Sequence, residues 1–158
     1  MGAAAYLIRH ARAGRRSAWR GPDEERPLSG KGRRQSRSIA RALRGEPILR
    51  IVSSPYARCM QTVEPLAAAL GLSVEVDALL AEGCGIAHVE RLVAASGDGR
   101  GLALSSHGDV ILGLLGALEA AGVPLDPGVV ARKGSTWRLD VEGGRIVRGR
   151  YVPPPGEG

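Results

Sequence analysis

Apolar residues along this chain fall into two alternating patterns, short continuous runs of strand length and longer stretches spaced at the helical period. Ala4 to Ile8 is a continuous run that stops at Arg9-His10, so it predicts a buried strand ending on that pair. Ala11 to Leu28 has no apolar periodicity and is rich in Arg, Gly and Pro, which predicts a loop too long to be a plain connector. Ser29 is a candidate N-cap for a helix reaching about Arg44, with Ile39, Ala40 and Leu43 facing inward and Gly45 as the stop. A short strand, Arg50 to Ser53, precedes Ser54-Pro55. Met60, Val63, Leu66, Ala67 and Leu70 then mark a helix from Tyr56 to Leu70, which Pro65 is expected to kink or restart.

Leu72 to Val76 alternates as a strand and leads into a loop carrying Glu82, Gly83 and Gly85. A helix follows over Ile86 to Ala95. Gly101 opens another buried strand, Leu102 to Ser105, which delivers Ser106-His107-Gly108-Asp109 ahead of an apolar helix, Val110 to Ala121. The last two strands, Thr136 to Val141 and Ile146 to Tyr151, face each other across Glu142-Gly143-Gly144-Arg145, a hairpin signal. The alternation predicts an α/β fold: a three-layer sandwich with a mostly parallel central sheet, helices on both faces and an antiparallel C-terminal edge hairpin. Residues 1–151 are expected to form a single domain and 152–158, rich in Pro and Gly, a flexible tail. Such sheets bind ligands beyond the carboxyl ends of their strands, where Arg9-His10 and His107 fall.

Composition narrows the chemistry. Cys59 and Cys84 make no CxxC pair and the three histidines have no zinc-like spacing, so no metal or other cofactor and a reducing, cytoplasmic setting are expected. The longest apolar run, Val110 to Val123, is broken by Glu119 and too short for a bilayer, and no basic-then-apolar leader is present; no membrane partner is expected. A net charge of +6 and a pI near 10.1 point to an anionic partner. Arg12, Arg15 and Arg16, directly after the first strand, are candidates for a substrate-selecting loop. Nucleic acid is not expected as a partner, because Trp19 is the only aromatic residue in that loop available for stacking.

Four separated pieces carry a resemblance: Leu7-Ile8-Arg9-His10-Ala11, Arg26-Pro27-Leu28-Ser29 followed by Gly32, Ser53-Ser54-Pro55-Tyr56-Ala57-Arg58-Cys59-Met60-Gln61-Thr62, and Ser105-Ser106-His107-Gly108-Asp109. In this order they resemble the histidine phosphatase superfamily, whose fold is that of phosphoglycerate mutase. The nearest look is to its short members, the bacterial phosphohistidine phosphatases and the phosphatase domain fused to some mycobacterial Nudix hydrolases. The resemblance implies a metal-independent phosphatase acting on a phosphate monoester, phosphoanhydride or phosphoprotein through a covalent phosphohistidine. It makes His10 the nucleophile, Arg9 and Arg58 the grip on the phosphoryl oxygens, His107 a further phosphate donor and Glu82 the proton donor to the leaving group. The substrate would be a phosphorylated small molecule, a nucleotide or a phosphoprotein.

Asp109 is expected to cap the helix after His107; His88 matches no motif and is expected to lie at the surface or to pack, and Cys59 and Cys84, which flank candidate site residues, are expected to pack. Two departures matter. Ala11 stands where the family usually has Gly, which puts close backbone approach beside the nucleophile in question. Arg12-Ala13-Gly14-Arg15-Arg16 lacks the acidic or amide, hydroxyl and Asn residues of the mutase branch, which weakens a phosphoglycerate mutase-type phosphotransferase as the alternative. A phosphate-binding module without turnover is the other alternative.

Overall fold

A computed structural model describes residues 3–95 and 101–156. Six strands form one sheet in the order β3-β2-β4-β1-β5-β6: β1 Ala3–Arg9, β2 Arg50–Ser53, β3 Val74–Val76, β4 Leu102–Ser106, β5 Thr136–Glu142 and β6 Arg145–Val152. The first four are parallel to one another, and β5 and β6 add the antiparallel edge. Gly143 and Gly144 close that hairpin with φ of 58° and 77°, the two left-handed positions a tight hairpin turn demands.

Side-chain alternation along the central strands sorts the core into two layers. Ala4, Tyr6 and Ile8 of β1 pack with Ile39, Ala40 and Leu43 of α1 (Gly30–Leu43) and Val63, Leu66 and Ala67 of α2 (Ala57–Leu70). Ala5 and Leu7 face the other way, toward α3 (Ala87–Ala95) and α4 (Gly108–Ala120), through Val89, Val93, Val110, Ile111 and Leu114. Two helices on each face make the expected three-layer α/β sandwich. Among the described residues no helix is long and apolar enough to cross a membrane.

Some elements differ from expectation. α2 runs unbroken through Pro65. Proline removes one helical hydrogen bond, but the buried Val63, Leu66 and Ala67 on either side hold both halves against the sheet. Leu72 and Ser73 stay outside β3, which pairs with β2 alone and is mostly exposed. At the other end of the chain, Val152 remains in β6 and Pro154 is buried.

Ser29 caps α1 as expected, its Oγ accepting from the Gly32 N–H at 3.1 Å. Gly32 itself packs against the loop that follows β1. A Cβ there would lie 1.9 Å from the Arg12 carbonyl oxygen. Gly→Ala inside a helix ordinarily gains up to about 1 kcal/mol. Gly32→Ala is expected instead to cost roughly 3 kcal/mol, because backbone must move to admit the methyl. Urea denaturation measures this, and a midpoint equal to or above the parent's contradicts it.

Candidate active site

Parallel register brings three strand ends together. Arg9 pairs with Ser106 and Ser53 with Ser105, so the residues that leave β1, β2 and β4 emerge side by side. These are His10, Ser54 and His107. They open onto a cleft of about 700 Å³ lined by Arg9, His10, Tyr56, Glu82, His107 and Asp109. The N-terminus of α4 also meets this cleft at Gly108, a position where backbone N–H groups favour an anion.

His10 is buried, and its Nδ1 lies 2.8 Å from the carbonyl oxygen of Ala11. A carbonyl only accepts, so the proton resides on Nδ1 and Nε2 of the neutral ring carries a free lone pair. Burial, reinforced by Arg58, His107 and Arg9, pushes this imidazole down to about 3, against the opposing pull of the Ala11 carbonyl. Ala11 is fully buried with an ordinary negative φ, and its N–H donates to Thr62 Oγ1 at 2.8 Å. Its methyl group therefore fits beside His10 without a glycine conformation.

The His107 ring stands edge-on to His10, with centroids 5.6 Å apart. Both of its nitrogens are engaged: Nε2 with Ser54 Oγ at 2.8 Å and Nδ1 with Glu82 Oε1 at 3.1 Å. Burial lowers its pKa to about 4 in spite of Glu82, so it donates from the neutral ring through Nδ1–H. Cys59 is buried against the same ring, its Sγ 3.5 Å from Nε2, and burial raises the thiol to about 12. It packs as an inert thiol.

Arg58, 1% exposed, is held by two carboxylates. Its Nη2 donates to Glu82 Oε1 at 2.5 Å and to Asp23 Oδ2 at 3.2 Å, and Nη1 donates to the Asp23 carbonyl at 3.0 Å. The guanidinium also lies 4.7 Å from the Tyr56 ring centre. Glu82 Oε1 thus sits between Arg58 and His107, where an oxygen of a bound anion would meet both donors. Arg9 donates through Nη1 to the Ala131 carbonyl at 2.5 Å, while Nε of Arg9 and Nε of Arg58 are buried without a partner. Unpaired buried donors are costly, and an anion would satisfy them. Gly108 makes room for this arrangement, since a Cβ there would come within 2.9 Å of Arg9 Cζ.

All five residues predicted to act on phosphate, Arg9, His10, Arg58, Glu82 and His107, gather at this one place. The Arg loop divides. Arg12, Arg15 and Arg16 are exposed, but Arg12 is fixed by its N–H to Gln35 Oε1 at 3.0 Å, whereas Arg16 pairs with Asp23 at 3.5 Å. Asp109 does not cap its helix as expected; its Oδ2 accepts from the Gly83 N–H at 2.8 Å and pins the Glu82 loop to α4. His88 does more than pack, pairing with Asp77 at 2.6 Å and joining α3 to the segment leading to Glu82.

Sequence reasoning missed Asp23, Ser54, Tyr56 and Thr62. Thr62 Oγ1 accepts from the Ala11 N–H and donates to the Arg58 carbonyl at 2.6 Å, linking the first and third of the four pieces through one hydroxyl. Its place at the end of the Arg58 motif, in the turn after that residue, was the available signal. Asp23 had none beyond its closeness to Arg26.

Residues 5–88 match the histidine phosphatase superfamily (branch 1). A curated relative, the 8-oxo-(d)GTP phosphatase of Mycolicibacterium smegmatis, is 35% identical over 157 residues; the match takes in 96% of this chain and 48% of that protein, so the chain spans about half the relative's length. Among solved structures, the protein histidine phosphatase SixA complexed with tungstate is 26% identical with a TM-score of 0.69, covering 94% of each chain. Mycobacterial glucosyl-3-phosphoglycerate phosphatase complexed with VO3 shares the fold at 21% identity and a TM-score of 0.69, covering 94% of this chain and 97% of its own. The sequence match over more than half of the chain, on a fold with His10 and His107 at adjacent strand ends, leads to one conclusion: the chain belongs to the histidine phosphatase superfamily, branch 1.

Proposed function

We propose that this chain is a metal-independent phosphatase that works through a phosphohistidine at His10. The observation that carries the reading is the His10 Nδ1 to Ala11 hydrogen bond, which leaves Nε2 as a neutral nucleophile inside a ring of cationic and neutral donors. Nε2 attacks phosphorus, an N–P bond forms and the bond to the leaving-group oxygen breaks. Arg9, Arg58 and His107 Nδ1–H hold the phosphoryl oxygens, one of which takes the place of the Glu82 oxygen that bridges Arg58 and His107. Glu82, displaced by the phosphoryl group and taking up the proton that a phosphate monoanion brings with it, gives that proton to the leaving oxygen. It then takes one from the water that attacks phosphohistidine, which releases phosphate and restores His10.

Tungstate, bound by the SixA relative, and VO3, bound by the mycobacterial phosphatase, are oxyanions of the kind this cleft suits. The test is transfer of label from a phosphorylated substrate to His10, with His10→Ala as the control. A free thiol at Cys59, buried in the site, suits the reducing cytoplasmic setting expected from the cysteine pattern.

The rim supports a substrate with a second anionic group, as in the nucleotide class named for the curated relative. Gln35 donates through Nε2 to the Lys133 carbonyl at 3.4 Å and accepts from the Arg12 N–H, so one buried amide sets these two exposed cations on the same side of the site. Gly134, next to Lys133, donates to the carbonyls of Arg9 and His10 at 3.2 and 3.1 Å. Replacing both Arg12 and Lys133 with Gln is expected to lower kcat/KM for a nucleoside diphosphate about fivefold more than for p-nitrophenyl phosphate, at low salt. Equal losses on the two substrates would remove the rim from substrate selection.

A further inference from the structure

Arg58 meets its two carboxylates in different ways. Glu82 lines the cleft and holds Arg58 through one oxygen that it shares with His107. Asp23 lies outside the cleft lining, touches neither site histidine, and meets both terminal nitrogens of Arg58 with its carbonyl and its carboxylate. It is anchored in turn. Arg26, 8% exposed, donates through Nε to Asp23 Oδ1 at 2.9 Å and through Nη1 to the Gly14 carbonyl at 2.6 Å. The Arg26 N–H also donates to the Asp23 carbonyl at 3.1 Å, closing the short 3₁₀ turn Asp23–Glu25.

These contacts form a chain from the loop to the site: Gly14, Arg26, Asp23, Arg58. We propose that Asp23 is a positioning residue for Arg58, fixing the guanidinium from the side away from substrate so that its buried Nε and the Nη2 edge vacated by Glu82 face the phosphoryl group. A guanidinium is planar, and two contacts to its terminal nitrogens set both its tilt and its depth. Without Asp23, a side chain as long as Arg58 regains rotamers, and phosphate must order it on binding. The Asp23 carboxylate suits this constant role. Burial alone would raise its pKa, yet Arg26, Arg58 and Arg16 outweigh that and hold it below the usual carboxylate range, so it stays charged while Glu82 exchanges its proton. The same chain makes the geometry of Arg58 depend on the order of the Arg-rich loop.

The proposal rests on Arg58 gripping the phosphoryl group, and the experiment separates the two. Asp23→Asn, Asp23→Ala and Asp23→Glu are assayed on p-nitrophenyl phosphate, with inorganic phosphate as competitive inhibitor and thermal melting as the folding check, in parental and Arg58→Ala backgrounds. Asp23→Asn and Asp23→Ala are expected to lower kcat/KM and to raise the phosphate inhibition constant, each by about tenfold to a hundredfold. Asp23→Glu is expected to recover part of both. In the Arg58→Ala background, Asp23→Asn is expected to have no further effect, since the residue it positions is gone. Folded Asp23→Asn with unchanged phosphate inhibition overturns the role, as does a loss that adds in full to that of Arg58→Ala. Arg58→Ala with parental turnover and phosphate affinity overturns the grip itself, and the role of Asp23 with it.

Discussion

His10→Ala is expected to lower turnover about a thousandfold or more and to eliminate the labelled enzyme intermediate. The size follows from what the side chain contributes. Neither a hydrogen bond nor a charge is at stake, but the atom that forms the bond to phosphorus. Water is the available substitute, and it would attack without the positioning that the β1 end gives the imidazole through Ala11 and the Ser106 carbonyl, which accepts from the His10 N–H at 3.1 Å. A rapid alkaline quench of the parental enzyme should recover label in an acid-labile, alkali-stable linkage, as a phosphorus–nitrogen bond requires. Full turnover by His10→Ala would refute the mechanism. So would a parental enzyme that turns over substrate in a single direct displacement, read as inversion at a chiral phosphate instead of the retention that two displacements produce.

The same burial that keeps the histidines neutral should make the protein acid-labile well above the range where carboxylates titrate. An imidazole with a folded pKa below its unfolded value binds protons more readily when unfolded, so its neutral burial is tolerated above about pH 6.5 and stability is lost as pH falls toward the folded value. His10 is lowered to about 3 and His107 to about 4, chiefly by burial, so both act in the window from about 6.5 downward. Together they should remove roughly 3 kcal/mol between about pH 6.5 and about pH 5, a large part of the roughly 5–15 kcal/mol typical of a domain. Asp23, Glu75 and Asp77, whose pKa values are held low, lose their contributions only below that window. Urea midpoints at about pH 7 and about pH 5 measure the effect, and His10→Asn with His107→Asn should flatten it. A parental midpoint that does not move over this interval would contradict neutral burial of the pair.

Much of the site was legible because its chemistry sits at element boundaries. Arg9-His10 and His107 each follow an apolar run, and Ser53-Ser54-Pro55 marks a third strand end ahead of Arg58; parallel pairing of β1, β4 and β2 then places those boundaries at one edge of the sheet. Asp23 was illegible for the opposite reason. It lies in a loop without periodicity, and its partner Arg58 is 35 residues away, so no local spacing relates them. Asp109 was misread because residue type favours a cap at a helix start, whereas the neighbouring loop offers its carboxylate a better donor in Gly83. Pro65 was over-weighted: its local cost was visible, and the packing that offsets it was not.

By itself the sequence determined the elements, their order and the two faces of β1, because the alternation of Ala4, Tyr6 and Ile8 with Ala5 and Leu7 is a local property that pairing preserves. It also determined which side chains reach the sheet edge. Tertiary structure alone decided their protonation and their partners: the proton on His10 Nδ1, the depressed pKa values of both histidines, Glu82 between Arg58 and His107, and Asp23 behind Arg58. The physical reason is that burial and hydrogen-bond direction are set by groups brought from distant parts of the chain.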